Sequence, residues 1–272
     1  MLSALDRPPL RDDVLRQALL APVGHYAALD VVATLPSTNA ALAAAARDGA
    51  SERTVLIAEH QTAGRGRANR SWVAPARSGL TFSVLLRPDE VPQGRWGWLP
   101  LLAGVALCRT LTALGGIPAV LKWPNDLLLG VSRRKAAGIL AEVVPGPAVV
   151  IGIGLNVTLQ PDELPVPEAT SLALEGSACT DRELLLCALL GELDTEVLEW
   201  RRHGGDPDAA GLRETYRHCC ATLGEQVRVE LSGQPTLIGK AVDLDSAGRL
   251  VVLSGEGHHA LAAGDVTHVR TG

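Results

Sequence analysis

The pattern of apolar and polar residues along the chain predicts a sheet with several accompanying helices. Helical periodicity occurs in residues 11–20, in the alanine-rich stretch that follows Asn39, and in residues 95–114, 181–202 and about 206–221. Short runs typical of strands cover residues 29–35, 54–59 and 80–86, and further runs follow one another between residues 119 and 157. So many consecutive strands do not fit a doubly wound parallel sheet. We therefore predict an α+β fold with a mixed, largely antiparallel sheet and helices on one side of it.

The pattern changes near residue 221. From Gln226 onward, five short runs typical of strands are separated by the turn sequences SG, DSAG and SGEG. Regular short strands of this kind are typical of a small barrel. We predict a main domain over residues 1–221 and an SH3-like β-barrel domain over residues 222–272.

Composition narrows the class of protein. The chain has 272 residues, 47% of them hydrophobic, and a formal net charge of −5, so no global basic field favours DNA or an anionic membrane. No apolar run approaches the roughly 18 residues of a membrane span. The five cysteines form no CxxC pair, which argues against a disulfide framework or a zinc site. We expect a reduced, cytoplasmic protein that binds neither DNA nor membranes, and we favour a monomer.

The segment GRGRANRSW, residues 64–72, is the first candidate for chemistry. Its glycines let backbone N–H groups approach an anion closely, and Arg65, Arg67 and Arg70 add forked donors for phosphate or carboxylate. The segment is neither a Walker loop nor a dinucleotide fingerprint. A solvated basic loop and a nucleic-acid patch remain alternatives at this point.

The second candidate is the stretch from Lys122 to Leu140, which contains two of the three lysines among 25 basic residues. Asn125 and Asp126 form a turn after Pro124 and could hold a metal-bound phosphate, although plain turn chemistry explains most such pairs. Lys135 precedes small residues that leave room for a ligand, so its ammonium group could neutralise developing charge. An exposed lysine on a strand edge is the alternative.

Two further segments could take part in a binding site. Gly152 and Gly154 interrupt an apolar strand, and glycine inside a strand usually marks a bulge or close backbone approach. In Ser37-Thr38-Asn39 any of the three residues can cap the helix that follows, and capping is the simplest interpretation.

In chain order, the motifs STN, QTAGRGRxxRxW, SxxLRP, KWPND, KxxGIL and GIGxNV resemble those of biotin protein ligases, over residues 37–157. The β-rich C-terminal segment agrees with that family. The resemblance implies a catalytic domain related to class II tRNA synthetases, followed by an SH3-like domain. It also implies that biotin and Mg-ATP form biotinyl-5′-adenylate, and that the biotinyl group passes to a lysine of a biotin carboxyl carrier domain.

The resemblance also implies roles for individual residues. Biotin would be bound by Ser37, Thr38, Asn39, Gln61, Arg65, Gly66, Arg67 and Lys135. ATP and the adenylate would be bound by Arg65, Arg67, Arg70, Trp72, Asn125, Asp126, Lys135, Gly138, Gly154 and Asn156. Lys135 and Arg67 would be catalytic, and Asp126 would help to place Mg²⁺.

Some features depart from the family pattern or leave other readings open. Asn69 stands where the family usually has glycine, although asparagine tolerates the left-handed conformation better than most residues. About 28 residues precede the first predicted strand, too few for a winged helix-turn-helix domain, so we expect no operator binding. A lipoate ligase or octanoyltransferase on the same scaffold, a non-catalytic regulator and a nucleic-acid-binding module remain the alternatives.

Overall fold

The structure is a computed structural model that describes residues 7–230, 235–262 and 264–269. Its helices are α1 (Asp12–Leu19), α2 (Thr38–Arg47), α3 (Leu99–Gly115), α4 (Arg182–Arg202) and α5 (Leu212–Cys219). Its first nine strands are β1 (Ala28–Val32), β2 (Thr54–Ala58), β3 (Gly64–Arg65), β4 (Ser71–Trp72), β5 (Gly79–Leu86), β6 (Ala119–Lys122), β7 (Asp126–Leu129), β8 (Arg134–Val144) and β9 (Ala148–Asn156). The remaining strands are β10 (Gln226–Glu230), β11 (Leu237–Leu244), β12 (Leu250–Ser254), β13 (Gly257–Leu261) and β14 (Asp265–His268).

The main sheet has seven strands in the order β1-β2-β5-β9-β8-β7-β6. Only β1 and β2 pair in parallel, while the other neighbours are antiparallel. Strands β6 to β9 follow one another directly as a meander, because short turns suffice to join antiparallel neighbours. The predicted α+β fold with a mixed, largely antiparallel sheet is confirmed.

Helices cover both faces of this sheet, so the expectation of helices on one side only is wrong. In β9, Ile151 and Ile153 belong to the core that contains α3 and α4, whereas Val150 packs with Leu42 of α2 on the opposite face. Every residue of β9 is buried. A strand buried on both faces loses its polar alternation, and the sequence therefore gave no indication of the second layer.

The longest apolar helical stretch, Gln93–Gly115, is long and apolar enough to cross a membrane by length and composition alone. Two thirds (67%) of its most apolar window is buried inside the protein. Leu102, Val105 and Leu107 are completely buried in the main core. Packing against the sheet thus accounts for its hydropathy. The helix ends where Gly116 adopts a left-handed conformation with φ 62°.

The C-terminal strands form a five-stranded antiparallel sheet in the order β13-β12-β11-β10-β14, within the predicted β-rich segment. Its β11–β12 turn lies against the main domain. There the Trp98 indole donates to the carbonyl of Ser246 at 3.1 Å, and the Trp123 indole donates to that of Gly248 at 3.3 Å. Trp123 stands two residues before Asn125, so this turn lies next to the KWPND segment.

Candidate functional site

The face of the sheet that carries α2 brings the predicted site residues together through strand register. Asp126, Gly138, Gly154 and Thr81 lie side by side on β7, β8, β9 and β5. A second row, two residues further along β8, contains Leu140, Gly152 and Ser83. Paired residues in a sheet point to the same face. The glycines of both rows leave a depression in that face.

A β-bulge places Lys135 on this same face. Leu127 pairs with Ala137, whereas Leu128 pairs with Lys135, so Ala136 is an extra residue in β8. In a regular strand, Lys135 and Gly138 would point to opposite faces because they are three residues apart. The extra residue shifts the alternation of side chains by one position. Lys135 therefore points to the same face as Asp126, and Ala136 is completely buried.

The depression is a cavity of about 330 Å³. All the predicted site residues line it, namely Ser37, Thr38, Asn39, Gln61, Arg65, Gly66, Arg67, Arg70, Trp72, Asn125, Asp126, Lys135, Gly138, Gly154 and Asn156. Lys122, the other lysine of the second candidate stretch, does not line the cavity. The shared cavity groups these residues, while their individual roles stay predictions.

One end of the cavity is polar but uncharged. Ser37 caps α2 by accepting a hydrogen bond from the backbone N–H of Ala40. This confirms capping for the first residue of the STN motif. Thr38 instead donates to Gln61 Oε1 from its backbone nitrogen, at 2.7 Å, and from its hydroxyl, at 3.1 Å. Ser37 and Thr38 are only 4% exposed, and the Thr38 hydroxyl also accepts from Ser83 at 2.8 Å, so a ligand can use only the hydrogen-bonding capacity that these contacts leave free.

The side chain of Asn39 is almost fully used within the protein. Its Nδ2 donates to the carbonyl of Leu140 at 3.0 Å and to Glu142 at 2.9 Å, and its Oδ1 accepts from Ser83 at 2.6 Å. A carbonyl only accepts hydrogen bonds, so the contact with Leu140 fixes which end of the amide is nitrogen. Both N–H donors are therefore spent, and Asn39 can offer a ligand only an acceptor.

Gly152 is required by the position of Asn39. A Cβ at residue 152 would lie 1.9 Å from Asn39 Oδ1. The sequence predicted a bulge or a close backbone approach at this glycine, whereas the structure shows the close approach of a side chain of α2.

The opposite end of the cavity is charged. Lys135 Nζ lies 2.6 Å from Asp126 Oδ1. Burial lowers the pKa of the Arg67 guanidinium below its ordinary value, the charge of Arg70 lowers it further, and Asp126 opposes the shift. Arginine stays protonated at neutral pH despite such shifts. This end therefore concentrates positive charge, with one carboxylate among the cations, and suits an anionic ligand.

Residues 64–72, which we call the flap, form a small hairpin over the cavity. Gly64 pairs with Trp72 and Arg65 with Ser71, an arrangement that the sequence did not predict. Ala68 and Asn69 are both left-handed, with φ of 50° and 58°. The tolerance expected of Asn69 is thus used, whereas the conformation of Ala68 is one that alanine adopts at a cost of about 1–2 kcal/mol. The flap therefore takes a left-handed backbone at residue 69 without a glycine there.

The indole of Trp72 lies on the glycines of the sheet. A Cβ at Gly154 would be 2.3 Å from the ring, and one at Gly138 would be 3.3 Å from it. The indole N–H of Trp72 is buried without a hydrogen-bond partner. A buried donor without a partner is costly, so this N–H is available for an acceptor on a ligand.

Two asparagines shape the wall beside the charged end. Asn125 donates to the carbonyl of Ile139, and Asn156 donates to that of Thr170 at 2.9 Å. Residue 135 in turn pairs with Ala169 outside the main sheet. Each asparagine keeps one N–H donor beyond these backbone contacts. These hydrogen bonds hold β8 and residues 165–170 in place beside the cavity.

Sequence reasoning missed several groups at the site. Ser83 and Glu142 both bind Asn39, and Pro165, Val166 and Ala169 line the cavity from a later segment. The spacing of Glu142, four residues after the glycine of KxxGIL, places it on the cavity face and is the one signal that could have identified it.

Comparison with known proteins relates both parts of the chain to one group. Residues 31–157 match the Biotin/lipoate A/B protein ligase family, and residues 222–269 match the Biotin protein ligase C terminal domain. A Mycobacterium tuberculosis biotin–acetyl-CoA-carboxylase ligase is 45% identical over 97% of this chain and 97% of its own length. The bifunctional ligase/repressor BirA of Bacillus spizizenii is 32% identical over 89% of this chain and 73% of its own.

Among solved structures, the biotin protein ligase of Aquifex aeolicus in complex with biotin and ATP superposes with a TM-score of 0.74 at 28% identity. The match covers 90% of this chain and all of that one. Its mixed α+β fold agrees with the fold described above. Since the cavity residues, both matched domains and a relative similar over nearly its whole length agree, this chain belongs to the biotin protein ligase family.

Proposed function

We propose that this protein activates biotin with ATP to biotinyl-5′-adenylate and transfers the biotinyl group to a lysine of a biotin carboxyl carrier domain. The observation that carries the proposal is the chemical asymmetry of the cavity. One end offers uncharged groups from Thr38, Gln61 and Asn39, and the other holds Lys135 and Arg67. Biotin has the same asymmetry, with an uncharged ureido head and a carboxylate at the end of an apolar chain.

In this arrangement the ureido head lies at the uncharged end, where Asn39 accepts from a ureido N–H. Leu140 lines the cavity from the same face of the sheet as Gly152, and its apolar side chain suits the hydrocarbon part of the ligand. The carboxylate then faces the flap and Lys135. An apolar ligand with a few placed polar groups is what such a cavity selects.

Activation joins two anions, and electrostatics dominates its barrier. A biotin carboxylate oxygen attacks the α-phosphorus of ATP, the bond to the bridging oxygen breaks, and pyrophosphate leaves. Lys135 and Arg67 lie where negative charge accumulates, and the loss of one such group typically costs about 3–4 kcal/mol of transition-state stabilisation. Asn125, Asn156 and the Trp72 N–H shape the nucleotide half of the cavity.

Transfer completes the reaction. The neutral amine of a carrier lysine attacks the acyl carbon of the adenylate, an amide forms, and AMP leaves with the bonding electrons. The name of the Mycobacterium tuberculosis relative supports acetyl-CoA carboxylase as the source of the carrier domain. Arg67 then has a second task, which is to hold the adenylate until that lysine arrives.

Magnesium belongs to this scheme as part of the substrate Mg-ATP. No group of three or more metal-binding side chains occurs within residues 7–230, 235–262 and 264–269. Asp126 is the one carboxylate among the cavity-lining residues, and it is paired with Lys135. Mg²⁺ is commonly held by one or two carboxylates together with substrate phosphates, so a single carboxylate here fits only an ion carried largely by the nucleotide.

The hydrogen-bonding network at the uncharged end also supports biotin over lipoate. The dithiolane ring of lipoate has no N–H group, so it would offer no partner to the acceptor that Asn39 keeps for a ligand. We further propose that the protein acts in the cytoplasm as a monomer. We also propose that it does not bind DNA, in line with its net charge of −5.

The test is ATP–pyrophosphate exchange by the purified full chain, with biotin, with lipoate and with neither acid. The proposal predicts exchange that depends on biotin and is at least about 100-fold slower with lipoate. Equal exchange with both acids, or exchange without either, would overturn it.

A further inference from the structure

Glu142 connects the floor of the cavity to the flap. It lies on β8, on the cavity face, two residues beyond Leu140. Its Oε2 accepts a hydrogen bond from Asn39 Nδ2 at 2.9 Å, and its Oε1 accepts from Arg65 Nη2 at 2.8 Å. Glu142 itself does not line the cavity, although both of its partners do. It therefore reaches a ligand only through Asn39 and Arg65.

The two contacts differ in how much freedom they leave. Asn39 is 4% exposed, and Glu142 takes one of its two N–H donors, so the carboxylate helps to fix the amide plane. Arg65 is 52% exposed in its side chain and gives only one nitrogen to Glu142. The remaining guanidinium donors stay available for an anionic ligand. Glu142 thus orients the first flap arginine without consuming its binding capacity.

We propose that Glu142 is a positioning residue that couples occupation of the uncharged end of the cavity to closure of the flap. A ligand N–H that donates to Asn39 affects the amide held by one carboxylate oxygen of Glu142, and the flap position depends on the other oxygen. An ordinary exposed ion pair contributes little to stability, because solvent screens the two charges and holding two long side chains in one geometry costs entropy. This pair differs because the carboxylate is also tied to a buried amide that is held by Leu140 and Ser83.

The inference rests on the proposed function, since its readout is the use of biotin. The variant Glu142→Gln keeps the side-chain volume, but its single carbonyl oxygen can serve Asn39 or Arg65 and not both with full strength. We expect the KM for biotin to rise roughly 10- to 100-fold, as for loss of a charge-assisted hydrogen bond. The KM for ATP and the kcat at saturating biotin should change less than threefold.

Flap closure can be read independently because the flap contains three tryptic sites, at Arg65, Arg67 and Arg70. In the unmodified protein, biotin should slow cleavage in residues 64–72, measured by mass spectrometry of brief digests. In Glu142→Gln the same degree of biotin occupancy should give little protection. The matched control is Glu183→Gln, which weakens the ion pair between Glu183 and Arg11. The Glu183 side chain is also shielded, with 16% of its surface exposed. None of its described hydrogen bonds reaches a residue of the cavity. It should retain the biotin KM and the protection.

The outcomes separate the two proposals. If the unmodified protein shows no biotin-dependent exchange, the proposed function fails whatever Glu142 does. If it is active and Glu142→Gln shows an unchanged biotin KM and unchanged protection, the coupling is refuted. An equal fall of kcat and rise of both KM values, accompanied by a lower Tm, would identify Glu142 as merely structural and would also refute it.

Discussion

Replacing Gly152 with alanine should disrupt the uncharged end of the cavity through a single steric conflict. The new Cβ would lie 1.9 Å from Asn39 Oδ1, and ordinary contact begins at 3.4 Å, so the amide must move by about 1.5 Å. The displacement breaks the hydrogen bonds from Ser83 to Asn39 and from Asn39 to Leu140 and Glu142.

The magnitude follows from these three contacts. A neutral hydrogen bond contributes about 0.5–1.5 kcal/mol net, and one to a charged group contributes about 1.5–3 kcal/mol. Allowing for partial relaxation, we expect Gly152→Ala to lower the free energy of unfolding by about 2–4 kcal/mol. For a protein of this size that corresponds to a fall in Tm of roughly 5–12 °C. The affinity for biotin should fall as well, because the acceptor on Asn39 is misplaced.

A double-mutant cycle tests the steric explanation. Asn39→Ala removes the group that the new methyl meets, so Asn39→Ala/Gly152→Ala should be about as stable as Asn39→Ala alone. Thermal unfolding and biotin titration calorimetry on all four proteins provide the numbers. Additive effects of the two substitutions, or a Tm for Gly152→Ala within 2 °C of the unmodified protein, would refute the reasoning.

Three further predictions use other parts of the molecule. Lys135→Arg keeps the charge but puts a planar fork where an ammonium pairs with Asp126, so biotin-dependent pyrophosphate exchange should fall at least about 100-fold; a rate within threefold of the unmodified protein would contradict this. Gly191→Ala should raise the free energy of unfolding by about 0.5–1 kcal/mol, because Gly191 is an exposed position inside α4 with no atom within 4 Å of a new Cβ, and any destabilisation would count against it. Burial and the charge of Lys122 lower the pKa of His268 below 6.5, so the unfolded chain binds a proton there more readily than the folded protein. The contribution of His268 to stability is therefore complete above about pH 6.5 and is lost as the pH falls through the lowered pKa. Between pH 7.5 and pH 5.5, the free energy of urea unfolding should decrease less for His268→Gln than for the unmodified protein. Equal decreases would contradict the assignment.

Local features of the site could be predicted from the sequence, because they depend on neighbouring residues alone. Gly152 and Gly154 were expected to mark a bulge or a close backbone approach, since a strand tolerates glycine poorly without such a reason, and side chains approach both of them. One residue of Ser37-Thr38-Asn39 was expected to cap a helix for an equally local reason, and the structure shows that it is Ser37. Anion binding by the flap, inferred from its glycines and arginines, stays a prediction.

Features that depend on register could not be predicted. The bulge at Ala136 brings Lys135 to the cavity face, yet nothing in the run KAAGIL distinguishes a bulged strand from a regular one. Ser83 reaches Asn39 only because β5 pairs with β9 opposite Gly152. Register is set by packing of the whole sheet rather than by the residues that it aligns.

The second helical layer was missed for a related reason. The residues of β9 are apolar without alternation, and such a run gives no information about which element covers each face. The alanine-rich α2 packs on the face opposite α3, and its short side chains let the helix approach the sheet closely enough for Asn39 to reach Leu140 on β8. The depth of the cavity therefore depends on a layer that the sequence pattern did not reveal.

The central claim is that the charged end of this cavity activates the carboxylate of biotin with ATP. Incubation of the purified full chain with biotin and ATP labelled at the α-phosphate tests it most directly, with the product separated by chromatography. We expect a labelled compound containing both biotin and AMP, formed by the unmodified protein and nearly absent with Lys135→Arg. Failure of the unmodified protein to place labelled AMP on biotin would contradict it.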